Sequence, residues 1–316
     1  MAEVEPIQYL LGLVNMAAIL ALAPLLDGIH RKVAARMHSR IGPPITQGYR
    51  DLAKLIRRAF ELSPEGSRGL YHLAPALVLM LTVVVALLTP AIFAETLPIS
   101  DIILVIYLLA LCDAVLTMTS FDTSNPFAVI GCGRKALITA LAEVSFMVAA
   151  FSLIIKPFIA TTSLYGIVLQ VSSSLRVLGS PSYYLAMVAA ALAVVSEFET
   201  TPYDVGIAEQ EILGGVEVEY GGRGLGFLKY AQLVKRLVMI VLFMDIFIPW
   251  GIAGNLSPAS VGIGIGSFLL KSLTMFIVTS IALQPMARFR VRGATRSLLV
   301  SLSLAFMSII LSSMEV

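Results

Sequence analysis

The sequence has little charge. Of its 316 residues 13% are Asp, Glu, Lys or Arg, against 58% hydrophobic, and the mean hydropathy is +0.91. A soluble domain carries roughly a quarter charged residues, so an ordinary soluble globule is excluded. Cysteine is sparse too: Cys112 and Cys132 form no CxxC pair and are too few to ligate an iron–sulfur cluster by themselves. The three histidines, His30, His38 and His72, lack metal-ligand spacing. There is no phosphate loop, and Gly221-Gly222-Arg223-Gly224-Leu225-Gly226 neither matches GxGxxG nor follows a strand pattern. A redox cofactor, metal or nucleotide within the chain is therefore not expected. The net charge of +2 gives no sign of nucleic acid as a partner. Asparagine is scarce (Asn15, Asn125, Asn255), a trait of thermophile proteins.

Long apolar runs are what the chain has in abundance. Lipid offers no partner for a free backbone N–H or C=O, so crossing it takes a helix of ~20 mostly apolar residues. Eight such spans are predicted, at about 5–27, 72–94, 99–120, 136–158, 182–199, 232–250, 261–284 and 296–313. The fold class is an all-α polytopic membrane protein, one domain over 1–316, with loops at about 28–71, 121–135, 200–231 and 285–295 on one side. The N-terminus is acidic and lacks the basic region of a signal peptide, so the first span is expected to be retained. Nineteen Lys and Arg fall in or beside those four loops, whereas Lys156 and Arg176 fall on the other side. By the positive-inside rule the four loops are cytoplasmic and both termini lie outside, in a cell membrane.

The first loop carries a surface helix. Ile45, Tyr49, Leu52, Ile56, Ala59 and Phe60 recur at helical spacing, with Arg50, Lys54, Arg57 and Arg58 elsewhere on the wheel. Such a helix lies on lipid or under a partner. The third loop concentrates acid: Glu197, Glu199, Asp204, Glu209, Glu211, Glu217 and Glu219 place seven of the chain's twenty acids within 23 residues. Its glycines and Pro202 predict a shaped loop rather than a merely solvated one. In VEVEY, local extension would put Glu217 and Glu219 on one face. Inside the spans lie Asp113, Glu143, Asp245 and Lys271. Each costs ~2.5–3.5 kcal/mol at a helix centre on insertion scales, which points to a proton or ion relay or to a buried structural pair. Gly262 and Gly266 form a GxxxG of the helix-packing kind.

Three stretches carry a resemblance: IHRKVAARMHSRIGPP (29–44), IGCGRKALITALAEVSF (130–146) and TPYDVGIAEQEILGGVEVEYGG (201–222). Over nearly its whole length the chain resembles the membrane subunit that anchors the peripheral arm of respiratory complex I. It resembles even more closely the equivalent subunit of energy-converting, membrane-bound nickel–iron hydrogenases. Pro202, Tyr203, Asp204, Ala208, Glu209, Glu211, Gly215, Glu219, Tyr220 and Gly222 fit the family's acidic-loop pattern, and Glu143 matches its buried Glu. Thr200-Thr201 stand where the quinone-reducing branch has an arginine before the proline, which weakens any claim that this loop lines a quinone chamber.

The resemblance implies a membrane subunit of a ferredoxin-dependent, ion-pumping redox complex, with no redox centre of its own. Iron–sulfur clusters and a nickel–iron centre would sit on hydrogenase-like large and small subunits, with antiporter-like subunits alongside. Docking of the peripheral arm falls to Arg31, Lys32, Arg36, Arg40, Pro43, Pro44, Arg134 and Tyr220. Coupling falls to Glu143, Glu197, Asp204, Glu209, Glu211, Glu217, Glu219, Asp113, Asp245 and Lys271, with Asp204, Glu209 and Glu211 as a charge-sensing cluster and Glu143 and Glu197 taking the proton into the membrane plane. The alternatives are the same subunit serving another acceptor (a sulfur compound, quinone or methanophenazine), or a stand-alone transporter. A transporter often shows internal repeats, and none is convincing here.

Overall fold

The computed structural model describes residues 6–62, 69–123, 125–156, 159 and 161–315. Arg68 and the side chain of Glu209 lie outside the described residues.

Helices occupy all eight expected positions: α1 (Pro6–Met37), α3 (Leu70–Leu88), α4 (Ile102–Phe121), α5 (Pro126–Ile154), α8 (Pro181–Ser196), α10 (Gly222–Phe247), α11 (Pro258–Leu283) and α12 (Val291–Met314). Six of them, all but α8 and α10, are long and apolar enough to cross a membrane. Helix α8 is apolar but has 16 residues, and α10 has 26 but carries Lys229, Lys235, Arg236 and Asp245. The amphipathic helix is α2 (Gln47–Arg57), with Leu52 as its buried contact.

The loops hold more structure than their composition suggests. Helix α1 continues to Met37, so Arg31, Lys32 and Arg36 lie on its last turns. Most of the expected loop 121–135 is the start of α5. Asn125 caps that helix by accepting from the Phe127 amide, and Pro126 takes the first helical position, where a missing N–H costs nothing. Between α5 and α8 lie the short helices α6 (Leu164–Ser173) and α7 (Leu175–Leu178). The acidic loop contains a 3-10 turn at Asp204–Gly206, the short helix α9 (Glu209–Ile212) and a second 3-10 turn at Gly215–Glu219. VEVEY is therefore coiled, not extended, and its two glutamates do not share a strand face.

Strands β1 (Phe60–Leu62) and β2 (Tyr220–Gly221) pair antiparallel and tie the first basic loop to the end of the acidic loop. Tyr71 stacks on Tyr220 with ring centroids 4.6 Å apart beside this join. Gly222 follows with φ +50°, and a Cβ there would meet the Ala59 carbonyl oxygen at 1.9 Å. Only glycine fits such a backbone and such an approach.

Helices α5, α8 and α12 pack as one unit along a seam of serines. Ser301 donates to the Ala189 carbonyl (2.8 Å), Ser308 to Ser152 (2.7 Å) and Ser312 to the Ser152 carbonyl (2.7 Å). Small side chains let these helices approach closely, and each hydroxyl is satisfied inside the bundle. Helix α10 runs between this unit and α1, α3 and α4, buried from Leu237 to Phe247.

Candidate functional site

Lys235 is the hub. It is reached from α10 at the point where the helix enters the apolar bundle, and three other elements converge on it. Asp113 of α4 accepts from its ammonium, as does Glu143 of α5 at 3.2 Å; Glu197, which caps the end of α8, lies at 3.0 Å. The four side chains are between 3% and 12% exposed. Three carboxylates on one ammonium leave excess negative charge in a place with almost no water. Such a group holds together only through its shared cation. Glu197 keeps one buried oxygen, Oε1, without a hydrogen-bond partner among the described residues.

A second pair adjoins it. Glu199 contacts Lys135 of α5 at 2.5 Å, and both are at most 14% exposed. Glu199 has φ +51°, a left-handed backbone that few non-glycine residues adopt, which turns its carboxylate inward from the loop. A void of about 20 Å³ joins the two groups, lined by Cys112, Asp113, Lys135, Glu197, Glu199, Gln232 and Lys235. That is room for one water.

Glu199 and Gln232 also line a much larger open cavity of about 800 Å³ on the side of the basic loops. Its wall alternates acid and base. Asp27 bridges Arg31 and Arg236 at 2.7 Å each, and Arg288 grips Asp204 through Nε (3.0 Å) and Nη2 (2.5 Å). Arg236, beside Lys235 in sequence, turns the opposite way onto Asp27 and over the Phe198 ring. One polar line thus runs from open cavity, past Glu199 and Lys135, to the Lys235 cluster.

The acidic loop is pressed onto α5. A Cβ at Gly131 would meet Gly215 Cα at 2.6 Å and the Gly206 oxygen at 3.0 Å, so loop and helix backbones touch directly. The expected sensing cluster does not form among the described residues. Asp204 is held by Arg288 and Glu211 by Arg134 (2.7 Å), each acid with its own arginine. Arginine within this chain outcompetes the clustering of like charges. Glu217 faces Lys229 at 3.7 Å, and Glu219 accepts from Asn125 at 2.6 Å.

Among the expected docking residues, Arg36, Arg40 and Pro44 are exposed, Arg31 is exposed but paired with Asp27, Lys32 and Pro43 are half-buried, and Arg134 holds Glu211. Tyr220 differs from expectation: it is 4% exposed, because its ring lies flat on Tyr71 and its hydroxyl donates to the Tyr71 carbonyl at 3.2 Å. Burial pushes its phenol up to about 12. It fastens the loops and offers no surface. Asp245 and Lys271 lie apart from the Lys235 cluster, further along α10 and on α11. Among the described residues, no group of three or more His, Cys, Asp and Glu is placed to hold a metal ion.

Sequence reasoning misses Lys235, Lys135, Asp27 and Arg236. It treats Lys235 and Arg236 as topological charges at a loop margin. The available signal is their position: both follow Leu233-Val234 and precede an unbroken apolar run to Met244, where a charge calls for a partner within the bundle.

The NADH dehydrogenase family profile matches residues 10–313. Hydrogenase-4 component C of Escherichia coli is 35% identical over 285 residues, which cover 88% of each chain. Formate hydrogenlyase subunit 4 of the same organism is 29% identical over 300 residues, 94% of this chain and 96% of the other. A subunit of the NADH-quinone oxidoreductase of Geobacillus kaustophilus is 26% identical over 249 residues, 75% and 73% of the two chains. Among solved structures, a chain of the membrane-bound sulfane sulfur reductase, an archaeal respiratory membrane complex, superposes with a TM-score of 0.82 at 24% identity, covering 96% of this chain and 99% of that one. At that identity the likeness concerns the fold alone.

Proposed function

The chain belongs to the NADH dehydrogenase family, and on that premise we propose that it docks a peripheral redox arm and couples electron transfer there to ion movement in the membrane. It is a multi-pass membrane subunit of the kind that hydrogenase-4, formate hydrogenlyase and complex I-like assemblies contain. The finer reading is a ferredoxin-dependent, ion-pumping hydrogenase. Its iron–sulfur and nickel–iron centres belong to large and small subunits seated on the basic and acidic loops, with antiporter-like subunits beside it. The 35% identity to a hydrogenase component supports this acceptor over a sulfur compound, quinone or methanophenazine.

The observation that carries the coupling reading is the shared ammonium of Lys235, held by Asp113, Glu143 and Glu197 at the end of a polar line from the cavity. A centre reduced above the cavity adds negative charge. The response open to these residues is proton uptake through Glu199 and the water-sized void onto one of the three carboxylates, with Lys235 moving toward the other two. Glu143 and Glu197 then hold the proton in the membrane plane. Asp204 and Glu211, each tied to an arginine, keep the loop seated.

The test begins with the tagged subunit purified in mild detergent with its companions. Stoichiometric nickel and hydrogen evolution from reduced ferredoxin are expected. Iron–sulfur subunits without nickel would replace the acceptor, and a chain that purifies alone would sink the assembly reading. In proteoliposomes, Glu143→Gln is expected to cut ions moved per electron while assembly persists. An unchanged ratio refutes the relay.

A further inference from the structure

The mechanism above makes no use of Asp245, which is buried, or of Lys271, which is half-buried. Asp245 and Lys271 lie ten positions beyond Lys235 on α10 and midway along α11. At 1.5 Å per residue Asp245 is about 15 Å from Lys235 along the α10 axis. The intervening residues 237–244 are apolar and at most 5% exposed, so no polar line joins the two places along α10. Asp245 is 2% exposed, and its Oδ2 has no hydrogen-bond partner among the described residues. Among those residues, Lys271 is the charged group near enough to act on it.

These two do not close as a structural ion pair would. They make no contact within 4.0 Å; instead the Lys271 ammonium donates to the Ile248 carbonyl at 2.5 Å, capping the end of α10. Acid and base therefore stand near each other without direct contact. Ser267, one turn earlier on the same face of α11, donates to the Gly251 carbonyl at 2.6 Å. Gly251 follows Trp250, which is 45% exposed, as a tryptophan at a membrane–water boundary is. The end of α10 that starts at the basic loops is Gly222; this is the opposite end.

We propose that Asp245 and Lys271 form a second proton-exchange site, opening to the membrane face opposite the basic loops and separate from the Lys235 cluster. In the exchange an N–H bond of the Lys271 ammonium breaks and an O–H bond forms on Asp245 Oδ2, leaving both groups neutral. The reverse transfer restores the pair, with protons gained or lost through water at the Ser267–Gly251 rim. The two sites communicate through charge alone: at 15 Å and an effective dielectric near 20, one unit charge at the Lys235 cluster shifts the uptake or release of a proton at Asp245 by about sixfold. The inference rests on the coupling reading but is refuted independently of it.

The experiment uses the assembled complex in proteoliposomes and measures ions moved per electron. Asp245→Asn is expected to lower the ratio by half or more, and the exchanged pair Asp245→Lys with Lys271→Asp to leave it low. If Asp245→Asn matches the native ratio, or if the neutral double variant Asp245→Asn with Lys271→Gln restores it, the pair is structural and the inference falls. If Asp245→Asn does not assemble, the native complex is treated with dicyclohexylcarbodiimide, which modifies protonated carboxyls in apolar surroundings. Mass-spectrometric label on Asp245 supports exchange; label on Glu143 without Asp245 overturns it. A native complex that turns over but moves no ion refutes the coupling reading instead.

Discussion

Replacing Lys235 with methionine keeps the length of the side chain and removes its charge. Glu197 and Glu143 lie 3.0 and 3.2 Å from the ammonium. At an effective dielectric near 20 each attraction is about 5 kcal/mol, most of it offset by the cost of taking the charges out of water. What remains visible is the penalty of leaving buried carboxylates with no cation in contact, ~3–5 kcal/mol for a broken buried pair. The expected result is a fall of several degrees in the unfolding midpoint of the detergent-solubilised complex, partly reversed by adding Glu197→Gln, which removes one uncompensated charge. Lys235→Arg keeps the charge but changes its shape, and should hold most of the stability while lowering the ions moved per electron. A Lys235→Met complex as stable as the native one, with no benefit from Glu197→Gln, would refute the assignment of Lys235 as the cation that holds α4, α5 and α8 to α10.

Other outcomes follow from the loops. Arg288→Leu removes a two-pronged contact with Asp204; it should cost roughly 1.5–3 kcal/mol locally and speed hydrogen exchange in residues 200–212. Gly222→Ala places a Cβ against the Ala59 carbonyl at 1.9 Å and should open the β1–β2 join to proteolysis, whereas Gly262→Ala, with nothing within 4 Å, should be silent. Tyr220 has its phenol raised by burial from 10.0 to about 12. Its stabilising contribution is complete below pH 10 and is lost as pH rises toward 12. Spectrophotometric titration should show a late phenolate component that Tyr220→Phe reduces by one residue; a Tyr220 that ionises with the exposed tyrosines would contradict its burial.

The eight helix positions were legible because lipid imposes one rule on every span, long apolar runs with satisfied backbones. The serine seam was not, because Ser152, Ser301 and Ser308 look like ordinary small residues until three helices meet around them. Asp113, Glu143 and Glu197 were legible as anomalies, acids where charge is expensive. Their common partner is hidden by an argument that is right on average: basic residues near span ends set topology, and Lys235 sits among them. The acidic loop misleads in the other direction. Density of like charge in sequence suggests clustering in space, yet Asp204 and Glu211 each find an arginine, one from the 285–295 segment and one from α5.

The four-helix convergence on Lys235 also constrains how the protein is made. Asp113 and Glu143 precede Lys235 by 122 and 92 residues, so the ribosome delivers both acids to the membrane before their counter-charge exists. Each alone costs ~2.5–3.5 kcal/mol to insert. Helices α4, α5 and α8 therefore carry their acids without that counter-charge until α10 is made, and the native packing of the four is completed only then.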